Sequence, residues 1–124
     1  MDIEIIPNTL KGSIKAITSK SAAHRHIIAA SLCRENTKLE INKLSEDIEA
    51  TLSCLEALGA SFSIFQKLIE VTPINKPSSD TLLDCKESGT TLRLLLPLTG
   101  ALGSCCSITG SGRLPERPIK DLKE

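Results

Sequence analysis

The chain repeats itself. Superposing Arg25 on Arg93, a shift of 68 positions (93 − 25), lays TSKSAAHRHIIAASL over KESGTTLRLLLPLTG. Each stretch is a helix-length apolar run entered through Ser and a polar turn. Each is followed by a strand-like segment, near Thr37 and near Cys105, at the same distance from its arginine. A second helix start follows each strand, at Ser45 and near Pro118. Self-similarity of this length implies supersecondary units that stack and share a core. The two opening helices are apolar nearly all round, which predicts burial inside the fold with sheet outside them.

The reading along the chain fills in those units. Ile3–Ile6 and Ser13–Ile17 read as short strands around the turn-rich PNTLKG. Ser19 or Ser21 caps a helix running to about Cys33. Thr37–Asn42 alternates and reads as a strand. Ser45 caps a helix whose first turn carries Glu46, Asp47 and Glu49, charges suited to a helix N-terminus, and Gly59 stops it. Ala60–Phe65 and Leu68–Pro73 form a hairpin, and Asn75–Asp80 a loop. The second unit restarts with the strand TLLDC and the helix after Glu87, in which Pro97 is expected to make a kink or break. The strand SCCSITG follows, and then a helix with Pro118 near its first turn. The expected fold class is α/β (α+β), built of repeated βαβαββ units with buried helices. Residues 1–14 form a separate strand segment, 15–73 one complete unit, and 80–124 a second, truncated one. A helix opened at Pro118 and stopped at Glu124 cannot hold itself by local bonds, so the chain reads as a fragment.

Composition removes several function classes. Fifteen basic residues balance fifteen acidic ones, so there is no basic excess of the kind a general nucleic-acid binder shows. Two Phe and no Trp or Tyr leave no stacking platform for bases. No apolar run approaches the ~20 residues that span a membrane. The five cysteines show no metal-ligand spacing and read as reduced, mostly buried thiols.

Anion chemistry remains. Lys20, Ser21 and Arg25 stand where the first helix begins, and Ser21 and Arg25 are one turn apart and can share a face. A helix N-terminus presents free N–H groups, and the arginine fork suits a carboxylate or phosphate. Taken alone, the stretch reads equally as a solvated basic helix end. The second helix start offers Gly89, Thr90 and Thr91, where a glycine lets a ligand approach the backbone, or where a plain N-cap turn suffices. GSGRLPERP sets Arg113 and Arg117 in a loop pinned by Gly and Pro, open also to a surface reading with Glu116 pairing an arginine. Three such sites at comparable ends of repeated units favour one pocket for a multiply anionic small molecule. His24 reads as helix-face structure, and Asp47 and Glu49 as helix-start charges.

The set SKSAAHR, SGTTLRLL and GSGRLPERPIK, with TLKGSIK ahead of it, resembles the 5-enolpyruvylshikimate-3-phosphate synthases (3-phosphoshikimate 1-carboxyvinyltransferases) along the whole chain. The resemblance implies a protein roughly three times longer, with two lobes of three units each. Its first strand or so would belong with the other lobe. It implies a cytoplasmic transferase of chorismate and aromatic amino-acid biosynthesis that moves the enolpyruvyl group of phosphoenolpyruvate to shikimate 3-phosphate, without metal or organic cofactor. Its partners would be those two small molecules, with neither nucleic acid nor membrane involved. The full-length protein would be a monomer, and the fragment alone would be inactive and free to dimerise or exchange strands. By the same resemblance, Lys20 is catalytic and touches both substrates. Ser21 and Arg25 hold shikimate 3-phosphate, and Gly89 and Arg117 hold phosphoenolpyruvate. Thr90, Arg93 and Arg113 shape the pocket. Two positions depart from the family pattern. Ile17 and Thr18 stand where Pro or Gly is frequent, and Glu87 where many members have Asn. A carboxylate there would repel an anionic ligand unless it turns away or pairs. The alternatives left open are a UDP-N-acetylglucosamine enolpyruvyl transferase-like enzyme and a non-catalytic anion-binding module.

Overall fold

The computed structural model describes residues 3–4, 6–7, 9, 11–14 and 16–119. Three serines start its three helices. Ser19, Ser45 and Ser88 each hold extended backbone and accept, through their hydroxyls, the N–H three residues on, satisfying one of the donors a helix start leaves open. The helices are α1 (Lys20–Ser31), α2 (Glu46–Ala57) and α3 (Gly89–Leu102). Between them run β1 (Thr37–Glu40), β2 (Ser61–Phe65), β3 (Leu68–Thr72), β4 (Thr81–Asp84) and β5 (Cys106–Thr109).

The strands form two sheets. β1, β3 and β2 make an antiparallel sheet in that order, with β3 central. Leu39 faces Ile69 on one side, and Ile64 faces it on the other. β4 and β5 pair in parallel, Leu83 opposite Ile108, with α3 as the crossover that a parallel pair requires. The hairpin and the strand–helix–strand pattern expected of the second unit are both present. The repeat is shifted by one residue from the arginine alignment. Ser19 falls on Ser88 and Thr37 on Cys106, an offset of 69 (88 − 19). Arg25 is therefore the sixth residue of α1 and Arg93 the fifth of α3, and the two arginines are not structural equivalents.

α2 is the centre of the core. It packs against α1, α3, β2 and β4 and buries Ile48, Leu52, Cys54 and Leu55 together. Apolarity predicted that place for α1 and α3, but each buries mainly one side. Leu95 is inaccessible while Leu94, Leu96 and Leu98 beside it are half-buried. Arg25, Ile28, Leu32, Leu94, Pro97 and Leu98 border an open groove between the two helices.

Three expectations need correction. The described residues of Ile3–Ile6 and Ser13–Ile17 form no strand, and the rest of those segments lies outside the described residues. A strand requires a ladder partner; by the repeat, Ser13–Ile17 should lie along β1 as β4 lies along β5. Among the described residues only β3 pairs with β1, and Ile14 and Ile17 are 96% and 87% exposed. Pro97 does not break α3. It lies on the exposed side with Arg93 four residues before it, so the one helix bond it removes is on the solvent face. After β5 the described residues hold only a 3-10 turn, Leu114–Glu116, and Arg117 is extended at φ −73, ψ 136. Pro118 disfavours the helical conformation for the residue before it. The rest of the expected last helix, from residue 120, lies outside the described residues.

The cysteines are free, and only Cys54 and Cys85 are buried; Cys33 and Cys105 are exposed and Cys106 half-buried. Cys105 precedes β5 and Cys106 is its first residue. No helix among the described residues is long and apolar enough to cross a membrane.

Candidate functional site

The parallel ladder of β4 and β5 continues beyond both strands. Cys85 donates its N–H to the Thr109 carbonyl at 2.9 Å, and Ser111 donates to the Lys86 carbonyl at 2.7 Å. Within the first loop, Asp84 Oδ1 accepts the Lys86 N–H at 2.9 Å and Lys86 takes a left-handed φ of 48. These bonds clamp the turn leading into α3 to the loop that carries Arg113 and Arg117. Gly110 has to be glycine in that clamp, because a β-carbon would stand 2.5 Å from Leu114 Cδ2 and 2.9 Å from the Lys86 carbonyl oxygen.

The result is a guanidinium over the start of α3. A β-carbon on Gly89 would lie 2.6 Å from Arg117 Nη1 and 3.4 Å from Arg93 Nη1. Two arginines far apart in sequence thus meet at the first residue of a helix, where backbone N–H groups and the helix dipole favour an anion. Thr90, next in line, is exposed beside them. Arg113 is exposed in the same loop, but the groups nearest Gly89 are those of Arg117 and Arg93. Glu87 lies against Gly112, whose φ is +55 and where a β-carbon would be 2.7 Å from Glu87 Oε2. The carboxylate at the departing position is thus turned onto the neighbouring loop.

The second cationic group sits at the head of α1. Arg25 donates to the Ser21 carbonyl at 3.1 Å and to the Ser21 hydroxyl, so the expected shared face is present. Lys20 Nζ lies 2.8 Å from Asp47 Oδ2, with both side chains partly exposed. Asp47 is therefore more than a helix-start charge.

A buried polar chain joins the two heads. His24 Nδ1 is 2.7 Å from Thr51 Oγ1, which is 2.7 Å from Thr91 Oγ1. Thr91 donates to Ser88 Oγ at 2.6 Å, and both threonine hydroxyls also reach the Asp47 carbonyl at 3.3 Å. Burial holds the His24 ring below the ordinary histidine pKa, and the Lys20 and Arg25 charges add to this against Asp47. The site thus includes His24, Asp47 and Thr51, none of which the sequence reading placed in it, besides Thr91, which it named at the second helix start. The pairs span 27 and 40 residues, beyond any local spacing rule.

The family model described as EPSP synthase (3-phosphoshikimate 1-carboxyvinyltransferase) matches residues 5–124. The chain belongs to the EPSP synthase family. It is 38% identical over 122 residues to the 3-phosphoshikimate 1-carboxyvinyltransferase of Clostridium perfringens (strain ATCC 13124), covering 97% of this chain and 29% of that protein. With the enzyme of the same name from Brachyspira hyodysenteriae it shares 36% over 126 residues, all of this chain and 30% of the other. The solved EPSP synthase from Acinetobacter baumannii superposes with a TM-score of 0.70 at 25% identity, over 88% of this chain and 26% of its own. The chain therefore spans less than a third of the length of the EPSP synthases it matches.

Proposed function

We propose that this chain supplies one lobe's share of an active site that transfers the enolpyruvyl group of phosphoenolpyruvate to shikimate 3-phosphate, releasing phosphate. The observation that carries the reading is the meeting of Arg117 and Arg93 over Gly89, tied by a buried chain to the helix end bearing Lys20, Ser21 and Arg25. In the reaction a shikimate 3-phosphate hydroxyl adds to C2 of phosphoenolpyruvate while C3 gains a proton. Loss of a proton from C3 and of phosphate from C2 then restores the double bond.

Each residue's part follows from its group. Gly89 admits the phosphoenolpyruvate anion to the backbone, and Arg117 clamps it, with Arg93, Thr90 and Arg113 shaping the wall. Ser21 and Arg25, already hydrogen-bonded on one face, hold shikimate 3-phosphate. Lys20, between the two, stabilises charge at the reacting centre, and Asp47 steadies its ammonium in the free protein. Residues 1–14 go with the other lobe, units 15–73 and 80–124 with this one, and the setting is the cytoplasm. The 124 residues alone are expected to give no turnover, since catalysis needs both lobes to align substrates and exclude water. Alone, they are expected to self-associate where the whole protein is a monomer.

The test is phosphate release from phosphoenolpyruvate by the gene's full product, with and without shikimate 3-phosphate, beside Lys20→Ala. Release that requires shikimate 3-phosphate and falls by about 10²-fold or more in the variant is the expected result. Release that responds instead to UDP-N-acetylglucosamine, or none at all, would overturn the reading.

A further inference from the structure

The buried chain asks for an explanation that stability does not supply. His24 is 1% exposed, and Thr51 and Thr91 are fully buried. Replacing such a set with apolar groups of like shape can be nearly neutral. What hydrogen bonds add over apolar contacts is direction, because each fixes a distance and an angle. The chain crosses three helices at their first turns or just beyond. His24 adjoins Arg25 on α1, Thr51 lies one turn after Asp47 on α2, and Thr91 is two residues from Gly89 on α3.

The donor order is set by the far side of the imidazole. Among the described residues, buried His24 Nε2 has no hydrogen-bond partner, and an orphaned buried N–H is the rarer and costlier outcome. The proton therefore belongs on Nδ1, which donates to Thr51 Oγ1. Thr51 then donates to Thr91, and Thr91 to Ser88 Oγ. That oxygen also accepts the Thr91 N–H at 3.2 Å, which is the cap of α3. The cap that opens the Gly89 site is thus the last link of a chain begun on α1. Asp47 stands beside this chain: its carboxylate pairs with Lys20, and its carbonyl oxygen lies 3.3 Å from the Thr91 hydroxyl, whose proton goes to Ser88.

We infer that His24, Thr51 and Thr91 are positioning residues, which fix the start of α3, with Gly89, at a set spacing and rotation relative to Lys20, Ser21 and Arg25 on α1. This deepens the enolpyruvyl-transfer reading and rests on it. The three touch no substrate; they act through the two helix ends that do.

The experiment compares Thr51→Val, which keeps the shape and removes the hydroxyl, with Thr51→Ser, which keeps the hydroxyl, in the gene's full product. Thr51→Val is expected to lower kcat/KM for phosphoenolpyruvate by about tenfold or more, in line with a sub-ångström misplacement, and Thr51→Ser to recover most of it. Imidazole ¹⁵N shifts are expected to give the Nδ1–H form of His24 in the parent and a changed proton distribution in Thr51→Val. Equal kinetics of the folded fractions of the parent and Thr51→Val, or an unchanged imidazole spectrum in Thr51→Val, would overturn the assignment. If the parent shows no transfer, the functional reading fails separately. Inorganic phosphate titrated against the Gly89 and Thr90 amide signals then decides: weaker binding in Thr51→Val but not Thr51→Ser supports positioning, and equal binding in all three refutes it.

Discussion

Gly89→Ala should separate stability from function. Gly89 opens α3 without a left-handed φ, so alanine suits its backbone and reduces the freedom of the unfolded chain. That favours the variant by at most about 1 kcal/mol. The cost falls on Arg117. The new β-carbon would lie 2.6 Å from Nη1, and ordinary contact begins near 3.4 Å. The guanidinium must retreat by about 0.8 Å, which a long side chain does cheaply. A clamp moved that far, beside a methyl group occupying the anion's approach, should weaken phosphoenolpyruvate binding by about 10- to 100-fold. Urea unfolding measures the first effect, and the KM for phosphoenolpyruvate in the gene's full product measures the second. A variant that unfolds at clearly lower urea, or one with unchanged KM, would refute the placing of Arg117 over Gly89.

Three further outcomes are expected. Below about pH 6.5, the ordinary histidine value, the unfolded chain takes up a proton that buried His24 resists. Its contribution is therefore complete above that pH and lost as pH falls toward the depressed folded value, at no more than about 1.4 kcal/mol per pH unit; urea midpoints across pH 5–8 with and without His24→Gln read it. Leu55→Ala, at a fully buried position in α2, should cost about 2–5 kcal/mol, a large share of the ~5–15 kcal/mol typical of a domain, seen as a lower urea midpoint. Iodoacetamide should modify Cys33 and Cys105 in the folded chain and reach Cys54 and Cys85 only on unfolding. The Cys54 thiol is held well above its usual pKa by the neighbouring Cys85 thiol and by burial, and peptide mass mapping follows each site.

Local rules carried much of this architecture. The capping serines Ser19 and Ser45, the alternation of Thr37–Asn42 and the paired runs around Gln66 and Lys67 are short-range signals, and each gave its expected element, the first strand ending at Glu40. Gly59, with φ +111 just past α2, ends that helix as glycines do. What depends on a distant partner was not legible. Ser13–Ile17 has strand composition, yet among the described residues it has no ladder to join. The family resemblance marks Arg117 as an anion clamp, but its position over Gly89 comes from bonds between the β4 and β5 loops. His24 read as helix-face structure because its partner, Thr51, is on another helix. The arginine alignment concealed a one-residue offset, since a helix tolerates a shift in side-chain order that a strand pairing does not.

The two sheets differ in how much chain must close before they form. β2 and β3 are joined across Gln66 and Lys67, so their pairing from Phe65↔Leu68 outward is local. β4 can meet β5 only by closing the longer stretch between Asp84 and Cys106, which contains α3. Loop-closure entropy therefore favours the hairpin as the early folding nucleus, with β1 and α2 condensing on it. The Arg117 loop, dependent on the parallel pair, would then be among the last parts to acquire native structure. Destabilising changes in β5 should accelerate unfolding, whereas those in the hairpin should slow folding.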